Sequence, residues 1–317
     1  MNPLHWLTQF LEVLAALAAA PLFVGWINQC RAWLQNKSAP SMLQPYRGIR
    51  KLFYKDAVLA THASPLFRIA PYIVFGAMVS AAAVIPSIGT RLPFSDAADA
   101  IALVGLFAMA RVFISLAAMD VGTAFGTLGA RREMLVGFLA EPALLMVIFV
   151  ASLLSASTAL PAIAEGLATQ RLALYPSLAF TGVAFVLVLL AENARIPVDN
   201  PATHLELTMI HEAMLLEYSA RHLALMEWAA ALKLFNYACI GFALFLPWGV
   251  ATGDGANPLA VLVSLPILAI KLSIAGAALA LIETVSAKLR VFRAPEFLAT
   301  AFLFAVLGLL VHLLLGA

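Results

Sequence analysis

The chain has 317 residues, 63% of them hydrophobic and 11% charged, with a formal net charge of +2. Soluble domains run at roughly 45–50% apolar and about 25% charged, which excludes a soluble globular protein. The near-neutral balance points away from a nucleic-acid partner, and two isolated cysteines, Cys30 and Cys239, argue against an iron–sulfur cluster or structural zinc held by this chain alone.

A membrane span needs about 20 mostly apolar residues. By that measure the chain holds about eight spans, at roughly 4–29, 66–89, 97–119, 134–159, 172–191, 223–249, 258–283 and 294–316. No stretch alternates with period two, so a β-barrel is excluded. The expectation is an all-α integral membrane fold, one transmembrane domain over 1–317. The first span carries Glu12 and lacks the basic start of a signal peptide, so it reads as a retained helix.

Four linkers, at about 30–65, 120–133, 192–222 and 284–293, collect the basic residues. The first holds Arg31, Lys37, Arg47, Arg50, Lys51 and Lys55; the second Arg131 and Arg132; the third Arg195 and Arg221; the last Lys288, Arg290 and Arg293. The opposite loops hold only Arg91 and Arg171. Positive charge stays on the cytoplasmic side, which places these linkers there and both termini on the other side.

The third linker breaks the apolar pattern. Glu192, Arg195, Asp199, His204, Glu206, His211, Glu212 and Glu217 crowd into it, and Pro197 and Pro201 stop a helix from passing straight through. Asp199 or Asn200 could cap a helix with Pro201 in its first turn. His204 and His211, seven apart, share a helical face but lack the HExxH spacing of a zinc site. They suit docking or proton exchange near neutral pH, or a plain interfacial helix. Gly122, Gly126 and Gly129 suit a tight turn or close helix packing rather than a nucleotide loop.

Charges also fall inside spans: Arg111, Lys233 and Lys271, with Glu12, Glu141, Glu192, Glu227 and Glu283 within spans or at their ends. An unpaired charge near the bilayer centre costs on the order of 2.5–3.5 kcal/mol, so these groups should face protein or water. They either pair between helices or form a hydrated proton path. Glu141, Glu192, Lys233 and Lys271 fit a path from the cytoplasmic face toward mid-membrane. Few ionisable groups continue it, so a neighbouring subunit would complete the route.

These motifs resemble the membrane family shared by subunit 1 of respiratory complex I and its counterparts in group 4 membrane-bound [NiFe] hydrogenases. The likeness rests on Leu43-Gln44-Pro45-Tyr46-Arg47, Lys51-Leu52 to Lys55, Gly129-Ala130 with Arg132 and Glu141, the Glu192, Arg195, Pro197, Asp199 pattern, and Glu217-Tyr218-Ser219. The stretch Asn200-Pro201-Ala202-Thr203-His204 to His211-Glu212 is similar to the hydrogenase-4 and formate hydrogenlyase branch. The acidic loop text of complex I is lacking after the proline, and Ala39-Pro40-Ser41 replaces its GPN-type turn.

The resemblance implies a subunit of the bacterial cytoplasmic membrane that anchors a soluble redox arm and couples electron transfer to proton or ion movement. Glu141, Glu192, Lys233, Lys271, Glu206, Glu212, Glu217, Arg111 and Glu283 would serve the proton path. Arg132, Arg195, Asp199, His204, His211, Tyr218, Gln44 and Arg47 would serve docking. The nickel–iron centre and iron–sulfur clusters would sit in the partner large and small hydrogenase subunits, and antiporter-like subunits would lie alongside in the bilayer. No cofactor or metal is expected on this chain. Two other functions stay open: a quinone-site subunit of the same fold, and a free-standing secondary transporter.

Overall fold

A computed structural model describes residues 3–60, 62–90, 93–94, 99–169, 176–196, 209–251, 258–287 and 293–315. The described residues form α-helices and no strand; two isolated bridges, Gly89 to Ala251 and Asp99 to Ala159, tie loops together. In order they are α1 (Pro3–Leu34), α2 (Gln44–Phe53), α3 (Pro65–Val84), α4 (Ala100–Asp120), α5 (Ala124–Ser155), α6 (Leu160–Thr169), α7 (Pro176–Glu192), α8 (His211–Leu215), α9 (Ala220–Phe245), α10 (Pro258–Val285) and α11 (Ala294–Leu315).

All eight expected spans coincide with helices, and seven are long and apolar enough to cross a membrane. The eighth, α7, is apolar but has 17 residues. At 1.5 Å per residue it spans about 26 Å, a little less than the roughly 30 Å hydrocarbon core. The linkers alternate between two ends of the bundle. One end carries α2, α8, the α4–α5 turn and the finish of α10. The far end carries residues 85–90, α6 and residues 246–251.

α9 is the central post. Its most apolar window is 72% buried, against 28% in α10 and 22% in α11, so those two leave most of their surface outside the bundle. Tyr237 of α9 stacks on Phe107 of α4 with ring centroids 5.0 Å apart. Close approaches depend on small residues. A Cβ on Gly25 would collide with the Met42 carbonyl group, and one on Gly129 would lie 2.8 Å from the carbonyl oxygen of Ile210. These contacts seat the first linker on α1 and the 209–214 segment on α5.

The expected loop at 120–133 is mostly helix. Thr123 accepts a hydrogen bond from the Gly126 amide, and α5 starts at Ala124, ten residues before the expected span. Gly122, at φ +74°, makes the turn before it. The first linker contains the amphipathic α2, with Ile49 buried and Gln44, Arg47, Arg50 and Lys51 exposed. α7 does not wait for Pro197 to end. Ala194 takes the left-handed conformation at φ 51°, and the Arg195 amide donates back to the Leu190 carbonyl.

Candidate functional site

Five helices bring charged side chains to one buried point. Arg111 of α4 is 6% exposed and bonds three carboxylates. Its Nε lies 3.4 Å from Glu133, and its two terminal nitrogens bond Glu141 and Glu192. Lys233 of α9 places Nζ 2.9 Å from the second oxygen of Glu192. His211 of α8 brings Nε2 within 3.4 Å of the second Glu133 oxygen. Glu133 and Glu192 are each 2% exposed, whereas the Glu141 side chain is 32% exposed.

α5 is built to admit this arrangement. Gly129, Glu133, Gly137 and Glu141 follow at intervals of four and share one helical face. A Cβ on Gly137 would sit 2.6 Å from Arg111 Cδ and 2.7 Å from its Nε. The missing side chain is the channel through which the guanidinium crosses α5.

A second ion group sits at the same end. Glu283 of α10 is buried between Arg195 at 3.1 Å and Arg31 at 3.5 Å. Burial pushes the Arg195 guanidinium below its ordinary value, and Glu283 opposes that shift. Both groups line a cavity of about 480 Å³. Its wall is apolar at Val24, Ile49, Val74 and Phe107, and it reaches the surface at the exposed Glu212.

The structure therefore gathers Arg111, Glu141, Glu192 and Lys233 and holds Glu283 nearby on the same cavity. It adds Glu133, which sequence reasoning missed because Arg131-Arg132-Glu133 reads as a solvated loop run. The four-residue ladder on α5 was the available signal. Lys271 does not join the group. Its Nζ donates to the Leu246 carbonyl at 2.5 Å, at the far end of α9.

Among the expected docking residues, Gln44 and Arg47 are exposed on α2. Arg132 is partly exposed and donates to the Met209 carbonyl at 2.9 Å. Glu212 and Glu217, expected on the proton path, are exposed. Arg195 and His211 are drawn inward to Glu283 and Glu133. Tyr218 is corrected: it is 4% exposed, its ring stacks on Phe67 at 4.0 Å and its hydroxyl donates to the Phe67 carbonyl. It pins the segment to α3 and offers no surface. Burial pushes its phenol well up. Asp199, His204 and Glu206, like the proposed cap at Asn200 and Pro201, lie outside the described residues.

Two ties hold this end together. The Ser219 hydroxyl accepts from the Val58 amide at 3.0 Å and donates to the Val58 carbonyl at 2.6 Å. The Ser64 amide donates to Asp120 at 2.8 Å. Among the described residues, no group of three or more His, Cys, Asp or Glu side chains is arranged to hold a metal ion.

The chain is 32% identical over 298 residues to formate hydrogenlyase subunit 4 of Escherichia coli (strain K12), covering 94% of this chain and 95% of that one. It is 34% identical over 241 residues to hydrogenase-4 component C of the same organism, covering 76% and 75%. Its fold resembles a chain of the membrane-bound sulfane sulfur reductase, an archaeal respiratory membrane complex, with a TM-score of 0.78 at 20% identity over 96% of this chain and 98% of that one. Residues 8–314 match the NADH dehydrogenase family. The chain belongs to that family, as a multi-pass membrane subunit of the complex I subunit 1 kind.

Proposed function

We propose that this chain is the junction subunit of a group 4 [NiFe]-hydrogenase complex of the hydrogenase-4 and formate hydrogenlyase type. In this reading it sits in the bacterial cytoplasmic membrane with the α2 end inside. A soluble redox arm docks on that end, and antiporter-like subunits flank the bundle. The chemistry of nickel, iron and clusters belongs to the partner large and small subunits. Cys30 and Cys239 are buried on separate helices, α1 and α9.

One observation carries the reading: a cavity reaching the α2 end is lined by Arg111, Glu133, Glu192 and Lys233, and Arg111 also bonds the half-buried Glu141. Such a network answers charge. An electron or proton arriving in the docked arm alters the field at the cavity mouth. Glu192 is fixed between Arg111 and Lys233, whereas Glu141 bonds Arg111 and is part exposed, which makes it the carboxylate of the group most open to solvent.

Glu141→Gln tests the coupling. Arg111 retains Glu133 and Glu192, so assembly and hydrogen evolution should survive while the ions moved per hydrogen formed fall severalfold. A normal ratio in sealed vesicles would remove Glu141 from the path. Docking is tested on α2, where Arg47→Glu with Arg50→Glu reverses two exposed charges without touching the buried Ile49. The soluble subunits should then wash off at lower salt than in the wild type. Retention at equal salt would place the arm elsewhere.

A second reading is supported by the cavity itself. Its volume falls within the roughly 300–1,000 Å³ range of small-molecule pockets, and its wall is largely apolar. That suits a quinone ring. Quinone co-purifying with the native complex would favour this reading; nickel without quinone would favour the first.

A further inference from the structure

We infer that the far end of the bundle holds a second acid–base pair, Glu12 and Lys271, joined through Ser87 and a single water. The inference rests on the proton-translocating reading above and gives that route a station on the opposite side.

Glu12 of α1 is 1% exposed. Its Oε1 accepts from the Ser87 amide and hydroxyl, each at 2.8 Å, and from the Ile88 amide at 2.9 Å. Gln9 Nε2 lies 3.5 Å from Oε2. No cation among the described residues comes within 4.0 Å of it. Lys271 is its counterpart. Besides the Leu246 carbonyl, Nζ lies 5.7 Å from the centroid of the Phe242 ring and interacts with the Cys239 thiol, and no described carboxylate comes within ion-pair range.

An acid without a cation and a cation without an acid thus share one end of the molecule. Lys271 and Ser87, the residue that bonds Glu12, line a shared cavity with about 10 Å³ open to a water's centre, with Cys239 and Ser264 also on its wall. One water needs roughly 10–15 Å³ by this measure and two to four polar neighbours. Ser87 already donates to Glu12, so its oxygen has a lone pair left for that water.

The transfer balances. Lys271 Nζ gives a proton to the water, the water passes one to Ser87 Oγ, and the Ser87 hydroxyl proton moves to Glu12 Oε1. One N–H bond is lost, one O–H bond is gained, and two charges vanish. In apolar surroundings the neutral acid and amine avoid the expense of two separated, desolvated ions. Desolvation therefore favours the neutral form at rest, in which the Ser87 hydroxyl turns to accept from the Glu12 acid; the hydrogen bonds from Ser87 to Oε1 belong to the ionised form, which a neighbouring charge restores.

The test compares Glu12→Gln and Lys271→Arg in the whole complex reconstituted in lipid. Arginine keeps the positive charge but does not surrender its proton. The resting wild type should show the infrared carbonyl stretch of a buried carboxylic acid. That band should disappear in Glu12→Gln and also in Lys271→Arg. Both variants should move fewer ions per hydrogen formed, and the double variant no fewer than the lower single. A band unchanged by both substitutions, or normal translocation in Lys271→Arg, overturns the pair. If the wild type moves no ions, or Glu141→Gln is normal, the functional reading fails instead, and the infrared band still judges the pair.

Discussion

Arg111→Met is expected to lower the yield of assembled complex more than any other single substitution in this chain. The guanidinium faces Glu133, Glu141 and Glu192 from two other helices, and it is almost wholly buried. Methionine fills much of the same volume, so the loss is electrostatic. It leaves three carboxylates to Lys233 and His211. Removing one partner of a buried ion group costs about 3–5 kcal/mol, because the remaining charge stays desolvated. Arg111→Lys should rescue little, since a single ammonium cannot fork to three acids. The yield of intact complex on native gels, with its half-life in detergent, measures the effect. A partial recovery is expected when Glu133→Gln is added to Arg111→Met, because one stranded charge is then removed. Wild-type yield of Arg111→Met would show that the network contributes no stability.

Gly137→Leu should come next. A side chain there occupies the passage of Arg111 across α5, with the first atom already 2.6 Å from Cδ and 2.7 Å from Nε. A flexible arginine tip normally swings aside. Here three carboxylates hold it, so displacement breaks the ion group from outside. The loss should approach that of Arg111→Met, about 3–5 kcal/mol, with Gly137→Ala intermediate. The decisive measurement is the double variant. Gly137→Leu combined with Arg111→Met should be no worse than the larger single, since both remove the same contact. Additive losses would mean that Gly137 matters for helix packing alone.

The span pattern was legible because apolar runs of membrane length have few alternatives. So was the inward orientation of Arg111, Glu141, Glu192 and Lys233, since charges at that depth cannot face lipid. Glu133 was hidden by a misplaced helix start. Thr123 is a good cap, but the basic pair Arg131-Arg132 looked like the edge of a loop. Glu12 was visible as a charge within a span, but its partners were not: they are the backbone amides of residues 87 and 88 and the Ser87 hydroxyl, which lie in a loop with no pattern that points to them. Lys271 could be placed at mid-span, but only the fold shows that it reaches toward the far end. The end of α7 at Ala194 was also silent, because an alanine occupies a position where glycine is the usual sign.

The pair of hydrogen bonds between Ser219 and Val58 has a mechanical side. Ser219 stands immediately before α9, and Lys233 lies on that same helix about 20 Å further along. Pulling on the first linker therefore tugs a stiff rod whose shaft carries an ammonium group. A tilt of a few degrees at the clasp would slide that ammonium past Glu192 by a sizeable part of an ångström. The rod would then work as a lever, turning a push on the outside of the protein into a short stroke at its electrically charged interior.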